Sequence, residues 1–129
     1  MAVKAKKQDL EPDEDRTTIE RVRQYETLMP LLAAMFNEFK ELSKKKPDGA
    51  LNKRKIELVN RLLRDVLVVL EDEATKPYLD LLDEDDVPQN SDVMLILSQF
   101  DAAMRAFHNR YYVQDLDLLS NDESFWRIE

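Results

Sequence analysis

Residues 53–73 read KRKIELVNRLLRDVLVVLEDE. Within them Ile56, Val59, Leu63, Val66 and Leu70 recur at steps of three, four, three and four, which places all five on one face of an α-helix. Leu58, Leu62 and Val69 add a second stripe, so the stretch from Val66 to Leu70 is apolar on almost every side. A helix of that kind sits centrally in a bundle or meets another subunit. Its charges oppose its own dipole. Lys53, Arg54 and Lys55 open it and Glu71, Asp72 and Glu73 close it, whereas the macrodipole favours acids at the start and bases at the end by about 0.3–1 kcal/mol per charge. Something other than helix stability placed those charges.

Upstream, Tyr25, Leu28, Leu32, Met35, Phe39 and Leu42 repeat the same spacing, and Met29 and Phe36 widen the stripe. A first helix is predicted from Thr17, which with Glu20 has the form of a capping box. Pro30 falls on the outward face and is expected to bend this helix or split it at Met29. Pro47-Asp48-Gly49 reverses the chain, the glycine supplying a positive φ, and Asn52 caps the second helix.

Downstream, Pro77 is expected to start a short helical turn through Leu82, followed by the acidic loop Asp83 to Asp86 and a cap at Asn90 or Ser91. Val93, Ile96, Leu97, Phe100, Ala103, Met104, Phe107 and Tyr111 form the buried stripe of a third helix. The fold class is therefore all-α, an up-down-up bundle of three long helices with a short helical turn and a docked C-terminal segment. Residues 1–16, charged and poor in apolar side chains, are predicted to be a mobile arm, 17–113 the bundle, and 114–129 an acidic segment ending in the aromatic anchor Phe125, Trp126 and Ile128. That anchor covers the first half of helix 1 or a partner.

Composition narrows the function. A chain of 129 residues, 43% hydrophobic, is long enough for one core. With no cysteine it has no disulfide, thiolate nucleophile or cysteine-bound metal, and its single glycine precludes a glycine-rich phosphate loop. The first fifteen residues lack a secretory apolar stretch and no segment has the length of a membrane span, so a soluble, cytoplasmic protein is expected.

Net charge is −8, unevenly spread. From Lys40 to Arg64 nine bases stand against three acids; from Glu71 to Asp92 nine acids stand against one base. In an up-down-up bundle Lys44, Lys45, Lys46, Lys53, Arg54, Lys55, Arg105 and Arg110 gather at one pole beside Tyr111 and Tyr112, with Arg61 a turn or two along helix 2. Catalysis is not expected. His108 is the only histidine and has no acid within four residues, so a His108-centred site lacks its local carboxylate. Asp83 to Asp86 lack the glycine and distal glutamate of a calcium loop, and no metal or cofactor is expected.

The expected function is a non-catalytic helical interaction protein: a small subunit, adaptor or antagonist that docks through its polarised surface and the Phe125/Trp126/Ile128 anchor. A protein partner is foremost and a second copy of the chain is allowed. The alternative is a nucleic-acid-binding subunit that uses the basic pole, with the acidic tail from Asp115 to Glu123 as an internal competitor. A second alternative is an acidic mimic of nucleic acid that blocks a basic protein.

Overall fold

A computed structural model describes residues 5–6, 15–114 and 124–129. Three helices, α1 (Ile19–Lys45), α2 (Lys53–Val69) and α3 (Asn90–Tyr111), pack as an all-α bundle. A 3-10 turn lies at Lys76–Tyr78, and three short strands, β1 (Ala5–Lys6), β2 (Tyr112–Val113) and β3 (Phe125–Arg127), form a small sheet in the order β1-β3-β2.

The cap of α1 is Thr18, not Thr17: Thr18 Oγ1 accepts the Arg21 N–H at 3.2 Å. Thr17 is drawn instead to the C-terminal segment, donating its N–H to Arg127 O at 3.0 Å and accepting from Glu129 N at 2.9 Å. The helix runs unbroken through Pro30, about 40 Å for its 27 residues. Pro30 is exposed, and Leu32 and Phe39 bury the opposite face. Asn52 caps α2 as expected, its Oδ1 accepting the Lys55 N–H at 2.9 Å.

The third helix runs opposite to the expected direction. Its start is stitched to the turn between α1 and α2: Asn90 N donates to Gly49 O at 2.8 Å, Ser91 N to Pro47 O at 3.0 Å, and Leu51 N to Pro88 O at 2.9 Å. Its end reaches the opposite pole, where the ring of Phe107 stacks on Tyr25 at 5.5 Å and Tyr111 meets Glu73. The order is up-down-down, with α3 parallel to α2. What permits this is the stretch from Leu79 to Pro88. It is non-helical, bends at residues 84–86, and runs back along α2, held where Asn60 bonds Leu82 and where Arg64 pairs with Glu84 at 3.6 Å. Ten residues reach at most about 33 Å, so even with its bend the segment is long enough to return along the roughly 26 Å of α2.

Neither Asn90 nor Ser91 caps α3. Asn90 Nδ2 donates to Lys46 O at 2.9 Å, finishing α1 instead, and the cap position falls to Gln89, whose N–H donates to Asp92 Oδ2 at 2.9 Å. Gly49 has no positive φ. Its role is close approach, because a Cβ there would lie 2.8 Å from Asn90 Nδ2.

The C-terminal segment docks on its own chain. β3 pairs antiparallel with β2 and parallel with β1, and Trp126 packs edge-on against Tyr25, His108 and Tyr112. Of the expected mobile arm, Ala5 and Lys6 are held in the sheet and Asp15 is held by Arg110; its other residues before Asp15 lie outside the described ones.

Candidate functional site

The reversed α3 divides the basic residues that the sequence had grouped. Lys44, Lys45 and Lys46 end α1 and Lys53, Arg54 and Lys55 begin α2, so these six share one pole and all are exposed. Arg105, Arg110 and Tyr112 lie at the far end of α3 and do not join them. They are also engaged. Arg105 Nε pairs with Asp101 at 2.8 Å, and Arg110 bonds Asp15 at 2.9 Å and Glu73 at 3.1 Å. The hydrogen bond from Arg110 holds the exposed Asp15 carboxyl below its ordinary range, and Asp15 and Glu73 in turn raise the guanidinium. Tyr112 stacks on His108, centroids 4.6 Å apart, rather than standing free for a nucleobase.

The aromatic anchor is likewise engaged within the chain. Trp126 and Ile128 are buried in the core and Phe125 is half-buried; of the two coverings expected of the anchor, the first half of α1 or a partner, Trp126 takes the first through its contact with Tyr25. Apolar surface at a chain end must be covered, and the first half of α1 with the end of α3 covers it. His108 lies among Tyr25, Tyr112 and Trp126, with no carboxylate hydrogen-bonded to it among the described residues. Asp83 Oδ1 accepts the Asp85 N–H at 2.9 Å, and no group of three or more His, Asp or Glu among the described residues is arranged to hold a metal ion. No helix among the described residues is long and apolar enough to cross a membrane. The acidic stretch Asp115 to Glu123 lies outside the described residues.

The surface with the strongest functional character is the seam between α1 and α2 on the side away from α3. Here an open groove of about 670 Å³ runs between the helices. Leu28, Leu31, Ala34 and Met35 of α1 form one wall, and Leu58 and Leu62 of α2 form the other. Phe39, Leu42 and Val59 complete the apolar lining, while Glu38, Lys55, Arg61 and Asp65 supply the charges. The groove exists because the apolar arcs of α1 and α2 are wider than α3 alone can cover. Val59, Leu63 and Val66 turn to the core, and the neighbouring Leu58 and Leu62 are left half-buried. Leu31 is 53% exposed and Val68, in a shallower depression continuing past Leu28 and Asp65, is 54% exposed.

The second stripe of α2 pointed to this surface through Leu58 and Leu62. Leu31 and Ala34 were not singled out. Their signal was the breadth of the apolar arc on α1, which exceeds one helix–helix seam. Arg61, grouped with the basic pole in the sequence, belongs to the groove. No protein-family model, curated protein or solved structure matches this chain.

Proposed function

We propose that the protein is a non-catalytic interaction module that receives an amphipathic helix in the groove between α1 and α2. The supporting observation is the groove itself: an apolar floor, leucines left exposed or half-buried along both walls, and charges of both signs beside them. A helix presenting aliphatic side chains at i, i+3, i+4 and i+7 has the shape and chemistry for such a channel. Covering the exposed half of a leucine such as Leu31 contributes about 1 kcal/mol, and several such contacts make a specific complex. The test is a photo-crosslinking residue placed at Ala34 in the groove or at Gln99 on α3. Adducts from Ala34 alone support the groove; equal yields from both sites, or none from either, contradict it.

A second function has one observation in its favour. Of the six exposed bases at the pole shared by α1 and α2, only Lys44 has an acidic partner among the described residues, Glu41 at 3.4 Å. Five unneutralised cations on two adjoining helix ends form a phosphate-binding patch. Salt-sensitive anisotropy of a labelled oligonucleotide, lost on changing Lys53, Arg54 and Lys55 to Glu, would support it; absence of binding at low salt would exclude it.

A further inference from the structure

The solvent-facing ridge of α2 is self-complementary. Arg54, Leu58, Arg61, Asp65, Val68 and Asp72 follow one another by four, three, four, three and four residues, forming one stripe along the helix and the turn that prolongs it. Bonds from Leu70 N to Val66 O and from Glu71 N to Val68 O continue the helical path to that turn. About the midpoint at Leu63 every base has an acid at equal distance on the other side, and Leu58 has Val68. Arg54, Arg61, Asp65 and Val68 are exposed, and Leu58 is half-buried. The Asp72 side chain stays 68% exposed although Arg21 pairs with it. Arg54, Arg61 and Asp65 make no ion pair among the described residues.

We propose that the occupant of this surface is a second copy of the chain, packed through antiparallel α2 helices about a two-fold axis that passes between Arg61 and Asp65, on the face opposite the buried Leu63. The proposal rests on the docking function given above and names its partner. In this register Arg54 faces the partner's Asp72, Arg61 faces the partner's Asp65, and Leu58 faces the partner's Val68. A two-fold interface requires that if residue i meets j then j meets i, and the stripe satisfies that condition at all six positions. A parallel arrangement would set base against base. The same symmetry explains the reversed charges of α2, which has no acid in its first turn and no base in its last. Each dipole end that its own helix leaves uncompensated receives the opposite charge from the antiparallel neighbour. The stripe also borders the groove, since Leu58, Arg61 and Asp65 line it and Val68 lines its continuation.

Sedimentation equilibrium of the full chain at low salt, from micromolar to millimolar, tests this. The wild type is expected to rise from 15.2 kDa toward twice that mass. Arg61→Asp alone and Asp65→Arg alone each set two like-charged pairs at the axis and are expected to weaken association at least ten-fold. An equimolar mixture of the two variants is expected to recover the dimer, because the acid introduced in one copy meets the base introduced in the other. A wild type that stays monomeric, single variants that associate like the wild type, or a mixture that stays monomeric would each overturn the proposal. Adducts from Ala34 to other proteins beside a monomeric wild type would remove self-pairing and leave the groove as a docking site. A monomeric wild type without adducts specific to Ala34 would remove both.

Discussion

Asn60 of α2 grips Leu82 by both of its backbone groups: Nδ2 donates to Leu82 O at 2.9 Å and Oδ1 accepts the Leu82 N–H at 2.8 Å. Both residues are buried, so the amide stands in for the strand partner that the return segment lacks. This clamp fixes the path from α2 to α3 and with it the direction of α3.

Asn60→Ala would strand two buried backbone groups without a partner. Each costs about 1–3 kcal/mol, so a loss of about 2–4 kcal/mol is expected, allowing for partial access of water. Urea unfolding followed by circular dichroism measures it. A change below about 0.5 kcal/mol would mean that the clamp does not hold the segment.

Tyr111 Oη donates to Glu73 Oε2 at 2.8 Å inside the core. Burial, first, and the Glu73 carboxylate, second, push the phenol well above its ordinary value of 10.0. Burial raises the Tyr25 phenol as well. A raised acid binds its proton more tightly when folded, so above pH 10 the unfolded chain holds fewer protons and stability falls as pH rises. Alkaline unfolding is therefore expected to begin near pH 10. Tyr111→Phe is expected to flatten that slope while lowering stability by about 1 kcal/mol at neutral pH through loss of the bond to Glu73. An unchanged slope in the variant would show that Tyr111 is not the responsible group.

Trp126, the only tryptophan, is 4% exposed against Tyr25, His108 and Tyr112. Its emission is expected to be blue-shifted and poorly quenched by iodide, and Trp126→Ala is expected to cost about 3–5 kcal/mol. Emission typical of a water-exposed indole would return Trp126 to the role of a free anchor.

Gly49→Ala introduces a methyl 2.8 Å from Asn90 Nδ2 and 3.2 Å from Lys46 O. A loss of about 1–3 kcal/mol is expected. The loss should shrink in an Asn90→Ala background, where the nearest obstructing atom is gone. Equal losses in both backgrounds would place the cause in the backbone instead.

Much of the bundle was legible because periodicity records burial: Val59, Leu63 and Val66 in α2 and Leu97, Phe100 and Met104 in α3 all face the core as their spacing implies. Asn52 was legible as a cap because nothing else competes for it. Thr17 and Thr18 were locally equivalent, and pairing of Thr17 with Ile128, 111 residues away, decided between them. The direction of α3 left no local trace. Leu79 to Pro88 has the composition of an acidic loop, and only the contact with Asn60 reveals that it spans the bundle. That one reversal carried Arg105, Arg110 and Tyr112 away from the basic pole. The groove was half legible, since breadth of apolar surface shows on α2 and α1 but not which flank α3 would cover.

The most direct test of the α1–α2 groove as a docking surface is Leu31→Asp, with stability and crosslinking from Ala34 measured on the same preparation. Leu31 is 53% exposed, so the folded chain loses little, within about 0.5 kcal/mol, while an acid in the channel repels an apolar helix. Expected are an unchanged urea midpoint and loss of the Ala34 adducts. Adducts that persist at wild-type yield would contradict the docking role of the groove.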